Sequence, residues 1–214
     1  MTLTALFCYS GRAGDDGHRR RLGRQPRRPG LVGYEPPEKV FPRAKDAAKT
    51  ALQLDSMLGE GYTSLAHIQS VFDRNWVEAE KSFRRALELR PGHALTHQWD
   101  ADFLMFPAGR TEEALVEIRR ARELDPLSLI TNATLAWFLY LSRHTDEAIQ
   151  QARKTVDLDP NFPLARTNLG LAYLQKQMYP EAIAEFERAV QLDPEAPMYP
   201  ASLAVAYAAA GQAG

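Results

Sequence analysis

The chain has 214 residues, 45% apolar and 25% charged, with a formal net charge of −1. This is the balance of a soluble folded protein, and it supplies no global field toward nucleic acid or an anionic membrane. A single cysteine, Cys8, excludes an internal disulfide and a thiolate metal cluster, and fits a reducing, cytoplasmic setting.

Residues 1–33 come first and hold seven arginines against two acids, a local balance of +5 that leaves −6 for the remainder. They are rich in glycine and arginine and poor in apolar period, which predicts a disordered or atypical segment. A basic arm for nucleic acid is one reading, but no aromatics are interleaved among the arginines, so nucleic acid is not the expected partner. An altered or artificial N-terminus is another. Residues 3–8 form a short apolar run with the arginines after it, the wrong order for a signal peptide.

From residue 38 a repeat takes over. Gln-Leu-Asp-Ser ends at Ser56, Glu-Leu-Arg-Pro at Pro91, and three Leu-Asp-Pro segments at Pro126, Pro160 and Pro194, in steps of 35, 35, 34 and 34 residues. An alanine stands twelve residues before each: Ala44, Ala79, Ala114, Ala148 and Ala182. The pattern predicts a lone helix at about 38–55, then pairs of helices. The clearest pair is 164–175 and 181–192, with Ala182, Ile183, Phe186, Ala189 and Val190 at helical spacing. Pro160 and Pro194 stop the preceding helices, and Thr111 and Thr145 are expected N-caps ahead of acidic first turns. The longest uncharged stretch, between Asp125 and Arg143, is interrupted by Ser128, Thr131, Asn132 and Thr134. It falls short of the ~20 apolar residues of a bilayer span.

Two helices of about a dozen residues cannot hide their apolar faces alone, so the units are expected to stack. Small residues recur at the eighth place of each first helix: Ala66, Ala101, Ala136, Gly170 and Ala204. Keeping Ala66 and Ala101 in that place puts the extra residue of the 35-residue copies in the turns near 73–75 and 107–109. The same frame puts Asp100 where other copies have Leu65, Leu135, Leu169 and Leu203. A carboxylate there needs a local partner, and His97 shares its face.

Residues 163–194 resemble a tetratricopeptide repeat, with Leu169-Gly170, Tyr173, Ala182, Phe186, Ala189 and Pro194 at the signature places. Sliding the frame gives a half repeat at 38–58, full repeats at 59–93, 94–128, 129–162 and 163–196, and a further first helix at 197–210, together one domain over 34–214. The resemblance implies an all-α, right-handed α-solenoid of antiparallel helix pairs. It further implies a non-catalytic scaffold that holds a protein or peptide in a concave groove lined by the first helices. Carried over by position, the groove residues are Thr63, His67, Ser70, Gln98 and Asp102 in a polar zone. Ile130, Trp137, Tyr140, Leu171, Leu174 and Val205 form an apolar zone suited to apolar or aromatic anchors. Trp137 and Tyr140 are equally well placed for the core between repeats.

Thr63, His67, Trp99, Ile130 and Thr134 stand where family members that clamp acidic chaperone tails carry basic residues, so that subtype is not expected. Residues 48–195 are also similar to repeat regions of bacterial signalling proteins, including transcriptional regulators. A partner-sensing fragment of a larger regulator is one alternative. Another is self-assembly as a homo-oligomer through an uncapped C-terminal end exposing Leu203 and Tyr207. No phosphate loop, metal motif or nucleophile elbow appears, so no cofactor, metal or enzyme activity is expected. A hydrolytic cluster of Ser64, His67, Ser70 and Asp102 is the remote reading.

Overall fold

The computed structural model describes residues 36–212, so the basic segment 1–33 lies outside the described residues. Among the described residues there are ten α-helices and no strand. They fall into two compact units, one ending at Gly109 and one beginning at Arg110. The division passes through the copy at 94–128, at a residue with φ of +66°, a conformation that glycine adopts at little cost.

The first unit holds α1 (Pro37–Leu54), α2 (Gly59–Val71), α3 (Trp76–Leu89) and α4 (Ala94–Met105). Pro36 and Pro37 open α1, where a helix needs no backbone donor, and Pro42 sits inside it, removing one donor from the ladder. The Phe41 ring stacks on Phe72 at 5.1 Å, tying α1 to the end of α2. A Cβ at Gly61 would lie 2.9 Å from Leu52 Cδ2, so glycine sets how closely α1 and α2 approach. Helix α3 is capped by Asn75, whose side chain accepts from the Glu78 amide at 3.3 Å. It buries Ala79, Phe83 and Ala86, a single stripe at helical spacing. Phe83 meets Phe103 of α4 at 5.7 Å, and full burial of one such ring contributes roughly 1.5–3 kcal/mol. Helix α4 stops at Met105, with Phe106 as its C-cap and Pro107 next. Asp100 is buried and engaged, not an orphan.

The second unit holds α5 (Thr111–Leu124), α6 (Leu129–Leu141), α7 (Thr145–Leu158), α8 (Pro163–Gln175), α9 (Tyr179–Leu192) and α10 (Met198–Gln212). Its core comes from one stripe on each second helix, such as Ala114, Leu115, Ile118 and Ala121 on α5 or Ala182, Phe186 and Ala189 on α9. These pack against first helices that are buried more widely. On α8 the close approach is at Gly170, where a Cβ would stand 2.7 Å from Phe186 Cε1. Polar groups join neighbouring copies as well: Asn168 Nδ2 donates to the Ala133 carbonyl at 2.8 Å and Gln175 Nε2 to the Tyr140 carbonyl at 3.2 Å. Arg166 and Glu185, both mostly buried, pair at 2.9 Å.

Two expectations need correcting. Thr111 and Thr145 are not N-caps but the first helical residues. Arg110 and His144 hold the cap positions, without side-chain cap bonds. The entry is set instead by a positive φ just upstream, at Gly109 and at Arg143, which turns the chain before the threonine is reached. Of the five small notches, Ala66, Ala101, Ala136 and Gly170 are buried, but Ala204 is exposed. The notch at Gly170 is filled by the second helix of its own copy, and among the described residues no helix follows α10 to fill the notch at Ala204.

Candidate functional site

Each unit sets its first helices side by side: α2 on α4 in the first, α6 on α8 and α8 on α10 in the second. The residues assigned to a binding groove lie on these helices, and their exposure separates them. In the first unit Thr63 is buried. Its hydroxyl donates to the Gly59 carbonyl at 3.1 Å, and its oxygen lies 2.6 Å from Thr96 Oγ1, a bond joining α2 to α4. Ser70 is buried too. His67, Gln98 and Asp102 are half-buried.

The His67 ring stacks on Trp99 of α4, with centroids 4.2 Å apart and planes 23° apart. Burial pulls the imidazole down to about 4, because a charged ring loses its hydration there. Burial also pushes the Asp102 carboxyl up to about 7. Among the described residues no hydrogen bond joins His67 to Ser64, Ser70 or Asp102, so these groups are not assembled into a proton relay. No group of three or more His, Cys, Asp or Glu side chains stands ready to hold a metal ion among the described residues. Nor is any described helix long and apolar enough to cross a membrane.

In the second unit, residues 131–139 of α6 are all buried, Trp137 among them at 7% exposure. Its indole packs beside Phe138 at 6.0 Å, which favours the core reading of this residue. Ile130, Tyr140, Leu171 and Leu174 stay half-buried and Val205 is 58% exposed. Tyr140 and Leu174 are 34 residues apart, as are Leu171 and Val205, so partly exposed apolar groups recur at equivalent places. Trp99, which the sequence places at a clamp position of the family but not in the polar zone, stacks on His67 of that zone. Its helical spacing to Asp102, three residues on, puts the two on one face of α4.

The tetratricopeptide repeat family model matches residues 134–197. No curated protein matches the sequence. Among solved structures, the chain is similar to YrrB, a tetratricopeptide protein with an unusual peptide-binding site, at 23% identity and a TM-score of 0.63 over 78% of this chain and 84% of that one. It is also similar to PilW, a type IV pilus biogenesis factor, at 19% identity and a TM-score of 0.65 over 82% of this chain and 85% of that one. A thermophilic tetratricopeptide protein of Thermus thermophilus matches at 18% identity and a TM-score of 0.64, over 78% of this chain and 90% of that one. At these identities the likeness establishes the fold, an all-α solenoid, and the family model identifies tetratricopeptide repeat sequence over residues 134–197.

Proposed function

We propose that the protein is a non-catalytic interaction scaffold, and that the first-helix face of its second unit binds an apolar or amphipathic segment of a protein partner. One observation carries this reading. Tyr140, Leu171, Leu174 and Val205 keep partial exposure at equivalent places on α6, α8 and α10, while most of the surrounding side chains on α6 and α8 are buried. Partly exposed apolar side chains on a rigid helical wall lose little entropy on binding, which suits them as anchors. A helical ligand would set its own apolar side chains into them at i, i+3, i+4 spacing. The peptide-binding site of YrrB, a protein of the same fold, supports the reading. Tetratricopeptide scaffolds act through such contacts, and the lone cysteine suits work in a reducing, cytoplasmic setting.

The test is selection of random dodecapeptides on the full chain, followed by fluorescence polarisation with the best binder. Leu171→Ala and Leu174→Ala are each expected to weaken binding about tenfold, the size of a lost anchor. A binder of undiminished affinity in both variants would overturn the assignment of this face.

A further inference from the structure

Charge is distributed unevenly in the first unit. Helices α2 and α4 carry Glu60, Asp100 and Asp102 but no lysine or arginine. The cations of α3 are taken, Lys81 by Glu78, Arg84 by Glu80 and Arg85 by Glu88. Glu60 has Arg90, and Asp100 is engaged. Among the described residues Asp102 is left with no ion pair and no side-chain hydrogen bond. It sits one turn beyond Trp99 and so shares its face of α4, beside an indole held in place by the His67 stack. A half-buried carboxyl without a counter-charge is costly to ionise, and the aromatic face beside it attracts a cation in its own right.

We propose that this α2/α4 face takes an arginine side chain of a partner protein, with the Asp102 carboxylate as counter-ion and the Trp99 ring as platform. The inference rests on the reading of first-helix faces as binding faces, but on a different unit and a different chemistry. Arginine fits better than lysine because its planar guanidinium can lie on the indole while its edge donates to the carboxylate. The upward displacement of the Asp102 carboxyl agrees with a group lacking its counter-charge. The downward displacement of His67 keeps the neighbouring ring neutral, so it does not compete as a cation.

The probe is acetyl-arginine-methylamide, with acetyl-citrulline-methylamide as its neutral isostere. Each is titrated into the full chain at about pH 8.5, where Asp102 is ionised. The readout is the Trp99 indole N–H in a proton–nitrogen correlation spectrum, assigned by its loss in Trp99→Phe. The arginine probe is expected to shift that resonance saturably and to bind about tenfold more tightly than citrulline. The shift should vanish in Asp102→Asn and persist in Asp102→Glu. Equal binding of citrulline, an arginine shift unchanged in Asp102→Asn, or no saturable shift would each overturn the proposal. Because the selected dodecapeptide depends on Leu171 and Leu174 in the other unit, such a failure leaves the scaffold reading standing.

Discussion

Asp102 and His67 should make opposite contributions to stability, and replacing one should uncover the other. Asp102 titrates at about 7 in the folded chain against an ordinary 3.8. Between those values the folded state holds a proton that the unfolded chain has released, so stability falls as pH rises from about 4 to 7. The slope approaches about 1.4 kcal/mol per pH unit, for a total of about 4 kcal/mol. His67 titrates at about 4 in the folded chain against an ordinary 6.5. There the unfolded chain binds the extra proton, and stability rises with pH from about 4 to 6.5 by about 3 kcal/mol. The two slopes cancel between about pH 4 and 6.5. His93, lowered by burial first and then by the Arg90 and His97 charges, adds to the rising arm. Asp102→Asn removes the falling arm alone: its stability should climb by about 3 kcal/mol between pH 4 and 6.5 and then level. Above pH 7 it should exceed the parent by as much as about 4 kcal/mol. Urea unfolding at half-unit pH intervals, followed by tryptophan fluorescence and circular dichroism together, measures both curves. A variant curve parallel to the parent curve across the range would refute the reasoning.

Gly170→Ala should cost about 1–3 kcal/mol in urea unfolding, because the new Cβ meets the fully buried Phe186 ring at 2.7 Å. Gly92→Ala, whose Cβ meets nothing within 4 Å, should stay within about 0.5 kcal/mol of the parent. Ala101→Leu adds bulk at a position with no exposure and should lose about 1–3 kcal/mol by the same assay. Thr63→Val removes the hydroxyl bond to Thr96 and should cost about 1 kcal/mol, with faster amide exchange at the start of α4 as its local signature.

How far the sequence could be read depended on whether a feature repeats. The alanines twelve residues before each Pro or Ser recur in every copy, and Ala79, Ala114, Ala148 and Ala182 are all at 0% exposure, while Ala44 on the lone helix α1 is exposed. A requirement that each helix pair imposes again leaves a periodic trace. The threonine caps failed for a local reason: an acidic first turn marks where a helix begins, but the residue holding the cap position follows from the backbone turn before it, here Arg143 with φ of +63°. Trp137 was ambiguous because α6 is apolar almost all round, and such a helix has no stripe to say which side faces out. Ala204 obeys the repeat yet is exposed, and among the described residues no helix follows α10 to cover it. The half-burial of Asp102 depends on which side chains of other helices surround it, and that information is spread over too many positions to read from one chain.

The most direct test of the central claim maps where a bound segment lies. A selected dodecapeptide carrying a photoreactive residue would be cross-linked to the full chain and the adducts located by mass spectrometry. Adducts on α6 and α8, clustered about Tyr140, Leu171 and Leu174, are the expected result. Adducts confined to the second helices α7 and α9 would contradict it.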